Sequence, residues 1–185
     1  MCTPKWFVFA AFCLAPGLGL AATPQIPARD YDVGTPATDA QMKAWDIIVG
    51  PEGRNLPDGS GTPVAGKAIY DQQCAACHGD AGQGGTGPRL VGGIGSLATA
   101  KPIKDVGSYW PYATTLFDYI RRAMPFSNPQ SLTNDQVYAV SAYILKMNGI
   151  IPDDAVMDRR TLPMVEMPNR NGFVSMIGAS VVTGK

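Results

Sequence analysis

This sequence has one histidine, His78, and only four cysteines in 185 residues. Two of those cysteines, Cys2 and Cys13, fall in the apolar N-terminal stretch, leaving Cys74 and Cys77 for the rest of the chain. So small a supply of thiol and imidazole excludes a four-ligand zinc site, which needs a further Cys or His nearby. It also implies no disulfide framework. Neither sign of charge is in surplus, since 15 Lys+Arg face 15 Asp+Glu. That balance argues against a nucleic-acid partner and against electrostatic attachment to a membrane surface. The N-terminal apolar run, about 17 residues broken by Pro16 and Gly17, is short for crossing a bilayer, and no stable membrane insertion is expected. There is no internal repeat. What the chain does have is glycine and proline, 21 and 16 respectively, which point to a loop-rich fold of one modest domain with extra chain.

Residues 1–22 read as a secretory signal. Lys5 precedes an apolar run from Trp6 to Leu14, and small residues close two candidate cleavage sites, near Ala21 or Ala22. Export to a periplasm is therefore expected. A retained anchor fits less well, and so does a lipoprotein at Cys13, because bulky Phe12 precedes it. The run Cys74-Ala75-Ala76-Cys77-His78 is a C-x-x-C-H, the attachment pattern of c-type haem. Two thiols three residues apart can each form a thioether to one edge of a porphyrin, and the adjacent imidazole then reaches the iron. A thioredoxin-like redox pair would want an α/β pattern around it, and none is present. One such motif implies one covalent haem.

Around the motif the sequence reads as all-α. Residues 23–60 form an extended N-terminal arm punctuated by Pro and Gly, with a short ordered element only between Met42 and Val49. Residues 61–151 carry the haem domain. Thr62 caps a first helix with Pro63 at its first position, running to the cysteines. Residues 79–107 form a glycine-rich loop. A second helix is expected from Pro111 to Ala123, with Tyr112, Thr115, Leu116, Tyr119 and Ile120 on its apolar face. A third follows a Thr133/Gln136 capping box and ends at Gly149, with Val137, Val140, Ile144 and Leu145 as its face. Residues 152–185 read as an extended C-terminal tail containing Met157, Met164, Met167, Phe173 and Met176.

Gly66 and Tyr70 lie eight and four residues before Cys74, and Tyr143 sits in the last helix. With the C-x-x-C-H these resemble the class I cytochromes c, whose first and last helices cross at such a glycine. The resemblance implies a class I cytochrome c fold, three to four helices around one covalent haem, with N- and C-terminal arms added. It implies that the Pro88 carbonyl holds the histidine Nδ1–H and that Leu90 packs on the same side of the haem. With no second histidine, the other axial ligand falls to methionine or lysine. Met124 is the first candidate, because Pro125 disfavours helical geometry there and opens a loop. The remaining methionines and an open sixth position are the alternatives. Tyr109, Trp110 and Tyr112 either wall the haem and donate to its propionates or simply anchor the second helix. Arg121 and Arg122 read first as solvated.

The block from residue 106 to 151, with WDIIVGPEGRNLPDGSGT before it and MPNRNGF after, is similar to the cytochrome subunits of periplasmic sulfite dehydrogenases and Sox sulfur dehydrogenases. That likeness implies a molybdenum-containing dehydrogenase subunit as electron donor and a soluble cytochrome c as acceptor. Some of those cytochromes carry a second haem, and a single C-x-x-C-H does not provide for one. The arm and the tail either lie along a partner or wrap the back of their own domain.

Overall fold

The computed structural model describes residues 34–174. The expected leader at residues 1–22 and Met176 lie outside them. Described residues form five helices: α1 (Asp39–Trp45), α2 (Pro63–Gln73), α3 (Ala75–His78), α4 (Ala113–Ala123) and α5 (Asn134–Met147). The only strand pairing among them is an antiparallel ladder of β1 (Ser60–Gly61) with β2 (Met157–Asp158). None of these helices is long and apolar enough to cross a membrane.

The caps fall where the residue types place them. Thr62 Oγ1 accepts from Ala65 N at 3.3 Å, with Pro63 opening α2 where its missing N–H costs nothing. Thr133 and Gln136 form a reciprocal capping box on α5, each side chain accepting from the other's backbone N–H. A second box, Thr38 with Gln41, starts α1 inside the stretch expected to be an arm. Helix α1 buries none of its residues, so capping rather than packing holds it.

Helices α2 and α5 cross at Gly66. A Cβ there would meet the Ala139 carbonyl, with the Tyr143 Cβ at 2.9 Å. Tyr70 and Tyr143 close the crossing with ring centroids 5.3 Å apart. The expected second helix is two residues shorter at its start, and its face is differently centred. Ala113, Leu116, Phe117 and Ile120 are buried, whereas Thr115 and Tyr119 are exposed. The i, i+3, i+4, i+7 stripe runs through Phe117, which pairs with Tyr138 of α5 at 4.4 Å between ring centroids.

Segments outside the haem domain proper complete the core. Val49 and Leu56 from the arm, and Met157, Leu162, Val165 and Met167 from the tail, are all buried in it. Of the two readings for these segments, wrapping their own domain holds for these residues. Asp118, a residue 6% exposed, joins arm to helix: its carboxylate accepts from Val49 N at 3.1 Å and from Arg122 Nε at 3.1 Å. Arg122 is thus paired rather than simply solvated. Asp118→Ala leaves the Val49 N–H unpaired and is expected to cost about 2 kcal/mol, with Asp118→Asn costing less because an acceptor remains. Urea unfolding of the haem-loaded protein measures both.

Candidate haem site

The C-x-x-C-H straddles a break between two helices. Helix α2 ends at Gln73, Cys74 leaves helical geometry at φ −123°, ψ −40°, and α3 resumes for one turn through His78. Cys74 is half-buried and Cys77 exposed, and neither is in a disulfide. Burial pushes the Cys74 thiol up to about 11, so as a free thiol it stays protonated. Below the cysteines, the buried Tyr70 hydroxyl donates to the Gly79 carbonyl at 2.8 Å, and burial lifts that phenol to about 12.

The histidine is held from one side. His78 Nδ1 lies 2.7 Å from the Pro88 carbonyl oxygen. A carbonyl only accepts, so Nδ1 carries the proton and the Nε2 lone pair is left for a metal. The loop bringing Pro88 there is tied to the motif itself: Gly87 N donates to Cys77 O at 2.9 Å and Gly84 N to His78 O at 2.7 Å. A Cβ on Gly87 would stand 3.0 Å from His78 Cε1, so glycine there lets the loop close on the ring. Two residues on, Leu90 packs against the core.

Met124 terminates α4 in extended geometry, φ −121°, ψ 148°, immediately before Pro125. It is half-buried and packs on the same core as Cys74, Leu90 and Trp110. Met157 and Met167 are locked inside that core, and Met147 lies half-buried on α5. The aromatic segment divides. Trp110 lies on the core and meets Tyr119 edge-on at 5.8 Å. Tyr109 and Tyr112 are instead engaged by the tail. Phe173 sits edge-on to Tyr109 at 5.2 Å, Asn169 Nδ2 donates to the Tyr109 carbonyl at 2.7 Å, and the Arg170 guanidinium lies 5.4 Å from the Tyr112 ring centroid. The tail's grip on this segment left no local signal in the sequence, because it joins residues some 60 apart.

These residues fit a covalent haem. Two unpaired thiols and an imidazole whose Nδ1 is already bonded suit its attachment, and Met124, Leu90, Trp110 and Leu132 are half-buried against the one apolar core. Among the described residues no cluster of three or more His, Cys, Asp and Glu offers a competing metal site.

Comparison with known proteins agrees with the geometry. The cytochrome c family profile matches residues 63–148. A chain in the crystal structure of the sulfane dehydrogenase SoxCD from Paracoccus pantotrophus superposes with a TM-score of 0.72 at 41% identity, covering 78% of this chain and 72% of that one. The thiosulfate dehydrogenase of Stutzerimonas stutzeri (strain A1501) is 33% identical over 89 residues, which is 48% of this chain but only 28% of that protein's length. The chain belongs to the cytochrome c family, whose members carry covalent haem c and transfer electrons.

Proposed function

We propose that this chain is the one-electron relay of a periplasmic sulfur-compound dehydrogenase. Cys74 and Cys77 would hold the haem through thioethers, and His78 Nε2 and the Met124 sulfur would ligate its iron. The observation that carries this reading is the 2.7 Å contact between His78 Nδ1 and the Pro88 carbonyl, which orients the imidazole and raises its basicity as a ligand. The haem iron, when bound, supplies the Fe(III)/Fe(II) couple. Every other part is supplied by the chain. The Met124 thioether, a soft neutral donor, favours the ferrous form. With His78 and Met124 both held as ligands, the group would serve electron transfer and not bond-making. Leu90 and Trp110, half-buried on the core, would exclude water from the haem, and Tyr109 and Tyr112 would contact it.

Electrons enter from a molybdenum-containing subunit that oxidises the sulfur compound, and leave to a soluble cytochrome c. The 41% identity to a chain of the sulfane dehydrogenase SoxCD supports the donor side of this reading. Export after cleavage near Ala21 or Ala22 puts the chain where thiols can be joined to haem. Stopped-flow mixing of the haem-loaded protein with a substrate-charged molybdenum partner is expected to reduce it within single turnovers, and the two proteins are expected to co-purify. Failure of reduction by sulfite- and sulfane-charged partners alike would remove the dehydrogenase assignment. Ready carbon monoxide binding to the native ferrous protein would overturn the six-coordinate site.

A further inference from the structure

The loop that presents Pro88 to His78 is rich in glycine, with Gly79, Gly82, Gly84, Gly85 and Gly87 all preceding the proline. Such backbone has much conformational freedom to lose, so bonds from outside the loop decide how firmly the Pro88 carbonyl is placed. Tyr70 holds the loop's start at Gly79, and Asp105 holds Gly93 N at 2.6 Å. Backbone bonds from Gly87 N to Cys77 O and from Leu90 N to Gly82 O hold the loop on either side of Pro88, and the nearest side-chain tether from outside the loop comes from the far end of α5. Asn148, the residue that caps that helix and is 9% exposed, donates from Nδ2 to the Leu90 carbonyl at 3.1 Å and to the Ile144 carbonyl at 2.9 Å. Its own backbone N–H also bonds Ile144 O, at 3.2 Å.

The Asn148 side chain is pinned from its other face as well. A Cβ on Gly107 would run into Oδ1, with Cγ at 2.7 Å and Cβ at 3.1 Å. Oδ1 is buried and has no hydrogen-bond partner among the described residues. A buried acceptor left unpaired is a cost, and the same amide makes both of its bonds through Nδ2. A leucine of similar size would avoid that cost entirely if packing were all the position required. The side chain therefore earns its place through what Nδ2 holds.

We infer that Asn148 is a positioning residue for the axial histidine: by fixing the Leu90 carbonyl it keeps the Pro88 carbonyl seated on His78 Nδ1. This rests on the ligation proposed above. Without the tether the Nδ1–H bond lengthens, the imidazole becomes a poorer donor, and the ferric form loses more than the ferrous. The reduction potential then rises, and the Nδ1 proton exchanges faster with solvent.

The test uses the full-length, haem-loaded protein. Asn148→Leu removes the donor at similar size, and Asn148→Ala removes it without adding bulk or charge, so one of the two remains if the leucine variant fails to accumulate. Gly107→Ala displaces the same amide from the opposite side. All three are expected to exchange the His78 Nδ1 proton at least tenfold faster by NMR and to shift the midpoint potential upward. Thr133→Ala, which weakens α5 at its other end, is expected to lower stability and move neither readout. A folded Asn148→Ala protein with wild-type exchange and potential overturns the role given to Asn148. A wild-type protein that shows no iron-shifted His78 ring proton overturns the ligand assignment instead.

Discussion

Gly66→Val is expected to cut the yield of haem-loaded protein more than tenfold, and Gly66→Ala to destabilise it by on the order of 3 kcal/mol. The reason is the partner at the crossing. A Cβ on residue 66 meets the Ala139 carbonyl, a backbone group inside α5 that has no rotamer to yield. Either the helices separate or α5 bends, and both loosen the packing of Tyr70, one helical turn before Cys74, on Tyr143. The loss is a large share of the roughly 5–15 kcal/mol that holds a domain together. Haem absorbance per milligram of purified protein reads the yield, and urea unfolding reads the alanine variant. Val64 on the same helix is 76% exposed, and Val64→Ala is expected to stay within about 0.5 kcal/mol of wild type. Equal behaviour of the two sites would remove the crossing from the account.

What could be read in advance was what leaves a local trace. Thr62-Pro63, the Thr133/Gln136 box and the Met124-Pro125 junction each act within a few residues, and each marks a helix boundary where the structure has one. The C-x-x-C-H is likewise local, and its spacing states its chemistry. The apolar face of α4 was harder, because a tyrosine reads as core until its partner is known. Phe117 finds Tyr138 and is fully buried, while Tyr119 turns outward beside Trp110. The packing of arm and tail was illegible for a plainer reason. Ser60 pairs with Asp158, and Asp118 accepts from Val49, across separations that no short window contains. A two-residue strand has no period to detect, and a lone buried Asp looks the same in sequence as an exposed one. Asn148 belongs to this group too, since its value lies in Leu90, 58 residues away.

Met124→Ala is expected to abolish the ferric methionine–iron charge-transfer band and to lower the midpoint potential by on the order of 0.1–0.3 V, within the roughly 0.8 V range that axial ligands command. Removing the thioether takes away the donor that favours ferrous iron and opens the axial position to water, which favours ferric. The same variant is expected to bind carbon monoxide readily in the ferrous state, where the wild type resists it. Its effect on folding should be smaller than that of Gly66→Val, because Met124 is only half-buried and lies at a helix end already released by Pro125. That separation makes the experiment decisive. A folded Met124→Ala protein that keeps its charge-transfer band has its sulfur ligand elsewhere, and Met147, half-buried on α5, is then the next residue to change. Met157 and Met167 would have to leave the core to reach a metal, so their recruitment would show as a large loss of stability in the otherwise wild-type fold. Met124→His supplies the discriminating partner: it should restore six ligands and exclude carbon monoxide, yet stay without the band and at the lower potential. Only a thioether at residue 124 accounts for all three outcomes together.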